Sequence, residues 1–413
     1  MIHRDIAKVL HQALEEYPMV SVSGPRQCGK TTLLRRELPD WEYVSLEDPD
    51  IRRMAQNDPR AFLQYRRGHV IFDEAQRVPD LLSYLQGMVD ETGQVGQFVI
   101  SGSQSYLLMR SVTQTLAGRV ALIDMATLTR HELLCAKGGD LSSAEKGSAL
   151  LEKAQADRWK WIAQGGYPRM YDSGISAGRY YSDYVRTYLE RDVRSEIGVR
   201  KLRDFELFMG VCATRTGELL NYSALARDVG VEVKTAKEWL SALEASGILF
   251  ELRPHFANIG KRLTKSPKLY FYDTGLACYL LGLRNGREAL EYSKSGSLFE
   301  TAVVSEYVKC AQASGLRSNI TYFRKSGSRK EIDLVVERGM RPQYAFEVKS
   351  SSTYRPKFFS SIVALSDELG LGPNTRGVIY NGTESLPSLS EGLLLTPDDI
   401  PELVDESVFN RRS

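Results

Sequence analysis

Short apolar runs alternate with longer helical stretches over the first third of the chain. The apolar runs end in small or polar residues, which is typical of strands buried on both faces of a sheet. These runs are Met19–Ser23, Trp41–Leu46, His69–Glu74, Gln97–Ser103 and Arg119–Asp124. Helical patterns lie between them, at 32–38, 50–64 and 79–91. The alternation predicts an α/β domain, in which a parallel sheet has helices on both faces.

The middle of the chain begins with a Gly- and Ser-rich stretch at 136–154 that indicates a loop or insertion. A densely charged helical pattern follows, from Trp159 to Phe208. Its four closely spaced tyrosines lie near arginines, so they could pack into a core or stack on nucleic-acid bases. Acidic residues are interleaved throughout, which favours packing. The tyrosines are Tyr180, Tyr181, Tyr184 and Tyr188.

The stretch from Leu219 to Arg253 has the order helix, glycine turn, helix, strand. This order is the outline of a winged helix-turn-helix. A basic run without acidic residues follows, and a wing of this kind lies along DNA phosphates. A winged helix used for packing or subunit contacts is the alternative. The candidate DNA-binding residues are Arg253, Lys261, Arg262, Lys265 and Lys268.

The last third predicts a second, smaller α/β domain. An amphipathic helix at Ser297–Ser314 precedes three strand-like runs, at Asn319–Arg324, Glu331–Glu337 and Gln343–Lys349. Four domains are therefore expected: an N-terminal parallel-sheet domain, a helical connector, a winged helix and a C-terminal domain. Their expected boundaries are 1–135, 136–210, 211–285 and 286–413.

Composition narrows the class of protein without naming a function. The 413 residues are 42% hydrophobic and 26% charged with a net charge of +2, so any nucleic-acid surface must be local. Five cysteines without metal-ligand spacing are expected to be free thiols, as in the cytoplasm. The chain starts without an apolar signal segment, and its longest apolar stretch is too short for a bilayer. We therefore expect a cytoplasmic protein with no membrane partner.

The strongest chemical signal is the octapeptide Gly24–Thr31, which follows a predicted strand and precedes a predicted helix. It fits the phosphate-binding pattern Gly-x-x-x-x-Gly-Lys-Ser/Thr and is called the P-loop below. Backbone N–H groups of such a loop cradle a polyphosphate, Lys30 reaches its outer phosphates, and Thr31 holds Mg²⁺. ATP and Mg²⁺ are the expected cofactors. The expected nucleotide-binding residues are Gly24, Pro25, Arg26, Gln27, Cys28, Gly29, Lys30, Thr31 and Thr32.

Polar residues at the ends of later strands supply candidate catalytic groups. Asp73 is suited to hold Mg²⁺ with Thr31, and Glu74 to polarise the attacking water. A helix cap is the alternative for this acidic pair. Ser101, Ser103 and Gln104 lie at the end of the next strand, where a γ-phosphate sensor is expected, and Ser103 is the candidate; a simple turn is the alternative. Arg119 is the candidate arginine finger, acting within its own subunit or on a neighbour, and a surface arginine is the alternative.

These motifs together resemble a known family. The P-loop with its Thr-Leu-Leu extension, Phe72–Gln76, Ser101–Ser103 and Leu116–Arg119 are similar to a widespread group of prokaryotic AAA-type (AAA+) ATPases. Gly165–Pro168 and the stretch 296–351 extend the resemblance over nearly the whole chain. The resemblance implies one strand between the P-loop strand and the Asp73 strand. It also implies a C-terminal domain of unknown function.

Acidic residues of the C-terminal domain form a further candidate site. Asp333 and the Glu347-Val348-Lys349 triplet lie on consecutive predicted strands, after a helix that carries Glu300. This order is similar to the PD-(D/E)XK nuclease fold, although the proline of that signature is missing. Asp333 and Glu347 would hold Mg²⁺, and Lys349 would orient a water. An inactive fold kept for binding or assembly is the alternative.

Three functional classes remain open from the sequence. The leading hypothesis is an oligomeric ATPase, such as a hexameric ring, that moves or remodels duplex or branched DNA, with or without metal-dependent cleavage. The alternative is a nucleotide-gated switch in defence or toxin control, whose C-terminal domains bind protein partners and do not cut DNA. A nucleotide-dependent scaffold with negligible turnover is a third possibility.

Overall fold

A computed structural model of the chain shows three β-sheets with helices packed around them. It describes the residues 2–66, 68–103, 116–136, 157–189, 193, 201–256, 265–325, 330–386 and 389–405. Within these residues, no helix combines the length and apolar character needed to cross a membrane.

The N-terminal sheet has five parallel strands in the order β2-β3-β4-β1-β5. They are β1 (Met19–Gly24), β2 (Glu42–Ser45), β3 (Val70–Asp73), β4 (Phe98–Ser103) and β5 (Val120–Asp124). Strand β4 lies between β1 and β3, which confirms the single intervening strand that the sequence predicts. The carboxyl ends of the parallel strands therefore bring the P-loop, Asp73 and Ser103 to one edge.

Both faces of this sheet are covered by helices, as expected for a doubly wound fold. Successive side chains of β1 enter opposite cores, with Met19 on one face and Val20 on the other. The covering helices are α1 (Ala7–Glu16), α2 (Lys30–Glu37), α3 (Pro49–Asn57), α4 (Pro59–Gln64) and α5 (Leu81–Thr92). Helix α6 (Arg130–Ala136) follows β5 and packs Leu133 in another core. Asp48 and Asp58 cap α3 and α4, each followed by a proline that begins the helix.

The middle of the chain packs around a three-stranded antiparallel sheet in the order β6-β8-β7. These strands are β6 (Glu218–Leu219), β7 (Leu249–Leu252) and β8 (Lys268–Phe271). The helices are α7 (157–164), α8 (Pro168–Ser173), α9 (Ala177–Tyr188), α10 (Leu202–Ala213), α11 (Tyr222–Val229), α12 (Val233–Ala245) and α13 (Thr274–Leu280). Gly230 ends α11 at φ +77°, as the glycine turn predicts.

The four tyrosines of α9 are buried, at 0–4% exposure, and pack with Tyr167 in one hydrophobic core. That core also includes side chains of α10, α11 and α12. The packing interpretation of the tyrosines is therefore confirmed, because buried rings cannot stack on nucleic-acid bases.

The C-terminal sheet is mixed and has the order β13-β12-β11-β10-β9. Its strands are β9 (Ile320–Arg324), β10 (Glu331–Arg338), β11 (Arg341–Lys349), β12 (Arg376–Tyr380) and β13 (Leu393–Leu395). Pairs β9–β10 and β10–β11 are antiparallel, whereas β11–β12 and β12–β13 are parallel. The helices are α14 (Gly286–Glu291), α15 (Ser295–Ala313), α16 (Ser360–Ser366) and α17 (Ile400–Val404).

Helix α15 differs from its expected amphipathic character, because residues on all its sides are buried from Leu298 to Ala311. One side packs on the C-terminal sheet, and another meets the N-terminal domain. Its Glu306 carboxylate accepts a hydrogen bond from the backbone N–H of Arg130 at 2.6 Å. Its Lys309 ammonium donates to the Leu128 carbonyl at 3.1 Å. The charged residues of this helix thus lie at an interface between domains instead of in solvent.

Candidate nucleotide site and carboxylate cluster

The P-loop connects β1 to α2 in a conformation that its glycines permit. Gly29 has φ +102°, in the left-handed region that glycine favours. A Cβ on Gly24 would lie 2.1 Å from the Met125 carbonyl oxygen, so the loop passes that backbone too closely for a side chain. Gln27 also has a positive φ, of 61°, which is uncommon for a residue with a side chain. The loop is therefore shaped by backbone geometry and by close contact with residues that follow β5.

Lys30 is buried inside the P-loop with 7% exposure. Its ammonium donates to the Gly24 carbonyl at 2.8 Å and to the Pro25 carbonyl at 2.9 Å. The charge is thus held at the concave side of the loop, where a bound phosphate would accept its hydrogen bonds.

The N-terminal segment and the start of α8 contact the outer side of the P-loop. Arg4 donates to the Cys28 carbonyl and the Ala126 carbonyl, each at 2.8 Å, and forms an ion pair with Glu132 at 3.0 Å. A small pocket lies beside this arginine. It is lined by residues that include Arg4, Gly29, Thr32, Arg36, Leu128 and Pro168.

Asp73 ends β3 beside the first turn of α2. Its carboxylate accepts a hydrogen bond from the Thr31 hydroxyl at 2.8 Å, and its side chain is nearly buried. A hydroxyl and a carboxylate oxygen are both ligands that Mg²⁺ accepts, so this pair fits the ion expected with a nucleotide. The structure therefore brings the two predicted Mg²⁺ residues together.

Tyr43, which the sequence did not single out, and Ser101, which it placed at the expected sensor position, also contact Asp73. The Tyr43 hydroxyl and the Ser101 hydroxyl both donate to its carboxylate. Burial and the negative charge of Asp73 raise the pKa of Tyr43 to about 12. Tyr43 and Ser101 lie on β2 and β4, which flank β3. Their proximity to Asp73 therefore follows from the order of the strands in the sheet and not from the spacing of a sequence motif.

Glu74 has a left-handed backbone, with φ 58° and ψ 43°. Its carboxylate accepts a hydrogen bond from the Gln76 amide, and the same amide donates to the Ser103 hydroxyl at 3.2 Å. A residue with a side chain rarely adopts this conformation unless its surroundings hold it there. Gln76, which the sequence analysis did not assign a role, thus links the predicted water-activating residue to the predicted sensor.

Arg119 lies at the other edge of the sheet. It precedes β5, and its carbonyl accepts the N–H of Met19, the first residue of β1. Its guanidinium pairs with Asp90 at 2.5 Å and 3.0 Å on the surface. The P-loop follows the opposite end of β1, so the structure contradicts a finger role for Arg119 within its own chain.

The predicted basic wing is only partly a basic surface. Arg253 and Lys265 are exposed, and Arg253 lies 3.6 Å from the Glu251 carboxylate. Lys261 and Arg262 lie outside the described residues. Lys268 has 2% exposure, so the expectation that it contacts DNA is wrong. The strand period explains the error, because the side chain of Lys268 points inward from β8 to carboxylates.

The chain that enters this basic run pairs with the C-terminal sheet. The Tyr322 N–H donates to the Arg253 carbonyl at 3.2 Å, and the His255 N–H donates to the Tyr322 carbonyl at 2.6 Å. The Tyr322 hydroxyl reaches the Ser266 carbonyl at 2.6 Å, on the far side of the run. Both ends of the predicted wing are therefore attached to β9.

The predicted nuclease-like residues do come together, and Lys268 lies beside Glu300 and Asp333 among them. We call Glu300, Glu331, Asp333 and Glu347 the carboxylate cluster. The Lys268 ammonium lies 2.8 Å from Glu300, 3.1 Å from Glu331 and 3.4 Å from Asp333. Lys349 pairs with Glu347 at 2.5 Å, and Asp333 accepts the Val348 N–H at 2.8 Å.

Burial and mutual repulsion disfavour ionisation within the cluster. Burial, followed by the charge of Asp333, raises the pKa of Glu300 to about 7 and that of Glu347 to about 8. Among the residues that the structure describes, no group of three or more His, Cys, Asp or Glu could hold a metal ion. The cluster therefore does not fit the expected Mg²⁺, because a lysine lies among its oxygens.

Models of protein families match three successive parts of the chain. The model described as "AAA domain" matches residues 16–134 and contains the P-loop, Asp73 and Glu74. A domain of unknown function, DUF8612, matches 155–287, and another, DUF4143, matches 295–397. The first domain is thus of the AAA type, and the chain carries an ATPase of the AAA/P-loop class.

Solved structures resemble the chain only distantly. The Walker-type ATPase PABY2304 of Pyrococcus abyssi is 15% identical, with a TM-score of 0.43, over 67% of this chain and 94% of that one. The RuvB Holliday junction branch migration motor of Thermotoga maritima is 21% identical, with a TM-score of 0.32, over 60% and 89%. Similarity at this level supports no function for the present chain.

Two mycobacterial proteins are much closer in sequence. Each is 34% identical over 403 residues, which cover 96% of this chain and 83% of the relative. They are the uncharacterized protein Rv2008c of Mycobacterium tuberculosis and the uncharacterized protein Mb2031c of Mycobacterium bovis. The chain therefore belongs to the family of AAA-domain proteins that includes these two mycobacterial proteins.

Proposed function

We propose that the P-loop binds ATP and that Glu74 directs a water to its γ-phosphate. The observation that carries this proposal is the left-handed Glu74, whose carboxylate is held by Gln76 next to Ser103. It follows directly after Asp73, which is hydrogen-bonded to Thr31. A metal-binding residue, a water-activating residue and a sensor candidate thus lie at one sheet edge.

The binding roles follow from the contacts of each residue. Lys30 would exchange its two loop carbonyls for phosphate oxygens, because both are acceptors for an ammonium. Thr31 and Asp73 would hold Mg²⁺, which neutralises charge on the phosphates when it is bound. The pocket beside Arg4 and Thr32 is next to the P-loop and is our candidate for the nucleoside. Pro25, Arg26, Gln27, Cys28 and Gly29 would supply backbone N–H groups.

Hydrolysis requires a base for the attacking water and a group that senses the phosphate. Glu74 would accept a hydrogen bond from the attacking water, and the Gln76 amide would hold the Glu74 carboxylate in position. Ser103 would report the state of the γ-phosphate to Gln76, since the two are 3.2 Å apart.

The P-loop is also connected to the middle of the chain through a buried carboxylate. Asp273 accepts the Gly166 N–H at 2.7 Å and the Tyr181 hydroxyl at 2.5 Å. A Cβ on Gly29 would lie 3.7 Å from Pro168, which begins α8 close to Gly166. Movement of the P-loop on nucleotide binding would therefore reach α8 and the sheet that precedes Asp273.

For the target of this ATPase we propose DNA. The order α11, glycine turn, α12, β7 supports a helix-turn-helix, and α12 exposes Lys234 and Lys237. Arg253 and Lys265 add exposed positive charge near the same sheet. The test is ATP turnover with duplex, forked and single-stranded DNA. A DNA-dependent rise in turnover that Lys234→Ala/Lys237→Ala reduces is expected, and rates unchanged by all three DNAs would reject this target.

A nucleotide-gated switch with protein partners is the second candidate. It is favoured by Lys268, because a carboxylate cluster filled by lysine does not fit metal-dependent cleavage. The test is a cleavage assay on duplex, branched and single-stranded DNA, with Asp333→Asn as the control for contaminating nuclease. Cutting that disappears in the control would contradict the switch, and its absence at every divalent-metal concentration is expected.

A further inference from the structure

We propose that Lys268 takes the place of a divalent cation in the carboxylate cluster. The lysine would thereby join the middle sheet to the C-terminal domain and keep metal ions out of it. This inference concerns a site that ATP hydrolysis does not use, so it does not depend on the function proposed for Glu74.

The geometry matches an ammonium group. A lysine ammonium has three N–H donors, and Lys268 has three carboxylate oxygens around it, at 2.8, 3.1 and 3.4 Å. Divalent Mg²⁺ instead requires oxygens at about 2.1 Å on all sides. The Tyr270 hydroxyl donates to the same Glu300 oxygen at 2.5 Å, which completes a hydrogen-bonded network around the charge.

The electrostatics also match a resident cation. Burial alone would lower the pKa of Lys268, but Tyr270 and the surrounding carboxylates raise it above its usual value, so the lysine remains charged. A second observation shows unused capacity for a cation. The Glu347 side chain is 7% exposed, and its Oε2 atom is buried with no hydrogen-bond partner. The cluster thus has an acceptor oxygen that its lysines leave unsatisfied.

The lysine comes from a different part of the chain than the carboxylates. Lys268 begins β8 of the middle sheet, whereas Asp333 and Glu347 lie on β10 and β11 of the C-terminal sheet. With 2% exposure, the Lys268 side chain is enclosed where the two sheets meet. Its ammonium therefore occupies the space between the carboxylates that a metal ion would need.

The experiment compares Mn²⁺ binding and thermal unfolding of the full chain and of its Lys268→Met variant. Methionine keeps most of the side-chain volume but removes the charge. We expect the variant to unfold at a lower temperature without metal and to bind one additional Mn²⁺. About 1 mM Mn²⁺ should raise its unfolding midpoint by at least about 3 °C relative to the wild type. Adding Asp333→Asn to the variant should abolish both effects.

Two controls separate a cation site from general loss of stability. Lys309→Met removes another buried lysine, which pairs with the single carboxylate of Glu306 at 3.0 Å, and it should lose stability without rescue by Mn²⁺. Lys268→Arg keeps the charge and should bind no additional Mn²⁺.

Mn²⁺ binding by the wild type that Asp333→Asn removes would overturn the proposal, and this measurement stands even if Lys268→Met fails to fold. A folded Lys268→Met chain without additional Mn²⁺ would overturn it as well.

Discussion

Neighbouring side chains prepare the two adjacent carboxylates of the nucleotide site for different tasks. Asp73 is nearly buried and accepts hydrogen bonds from Thr31 and Ser101, which keep it in place. Glu74 is more accessible, and its carboxylate accepts a hydrogen bond from the Gln76 amide. An immobile carboxylate suits a metal, whereas an accessible one suits a water that must be bound and released.

At this scale we predict that Gln76→Ala lowers the turnover of ATP by about ten-fold or more, because Glu74 loses the amide that orients it. Nucleotide affinity should change little, since the Gln76 amide donates to Glu74 and Ser103, which lie outside the P-loop. Steady-state turnover and fluorescent-nucleotide titration measure the two quantities. Gln64→Ala, on the surface of α4, is the matched control. Equal turnover in Gln76→Ala and the control would refute the role of Gln76.

The sequence predicts residues of the nucleotide site only where a motif fixes their spacing. Lys30, Thr31 and Asp73 belong to such motifs, and the structure brings them together. Tyr43 contacts Asp73 because their strands are neighbours in the sheet, and Gln76 contacts Glu74 because the backbone of Glu74 is left-handed. Neither relation produces a fixed spacing in the sequence.

At the scale of the elements, Glu244 of α12 is partly buried and lies close enough to Glu251 of β7 that its carboxyl group favours the protonated form. Burial, followed by the negative charge of Glu251, raises the pKa of Glu244 to about 7, although Arg253 opposes this change. A folded-state pKa above the ordinary value means that the folded protein binds the proton more tightly than the unfolded chain. The stabilisation is therefore complete below about pH 4.5 and is lost as the pH rises through about 7.

We therefore predict that the unfolding temperature of the wild type falls between about pH 5 and about pH 8, and that Glu244→Gln flattens part of this fall. Thermal unfolding followed by circular dichroism at a series of pH values measures the effect. Glu238→Gln, at an exposed position of the same helix, is the control and should leave the profile unchanged. A Glu244→Gln profile as steep as that of the wild type would contradict the prediction.

Elements with strong local signals were predictable, and their surroundings were not. The ends of α11 and the strands β9 to β11 follow the sequence patterns closely. Helix α15 was expected to be amphipathic, but a second domain covers its polar side. Lys268 was assigned to a DNA-binding surface because charge in a sequence window does not report which way a strand side chain points.

On the scale of the whole molecule, ion pairs with buried arginines join the C-terminal domain to the earlier parts of the chain. Arg130 and Arg158 both pair with Asp398, at 2.6 Å and 2.7 Å. Lys309 of α15 lies between Glu306 and the Leu128 carbonyl. Breaking such pairs leaves buried charges, which costs about 3–5 kcal/mol, so the domains are expected to move together rather than separately.

The position of Arg119 makes a prediction about assembly. Because it lies away from its own P-loop, a role in hydrolysis requires a neighbouring subunit. We predict that Arg119→Ala and Lys30→Ala are each inactive alone and that mixing them restores part of the ATP turnover. Asp90→Ala, which releases the arginine from its surface pair, should remain active. Full activity of Arg119→Ala alone would show that the arginine is structural.

The central claim is that Glu74 activates water for ATP hydrolysis at this P-loop. Single-turnover hydrolysis of ATP by the full chain, compared with its Glu74→Gln variant, tests it most directly. We predict that Glu74→Gln binds Mg²⁺ and ATP as the wild type does but hydrolyses ATP about 100-fold more slowly. Hydrolysis by Glu74→Gln at the wild-type rate would contradict the account.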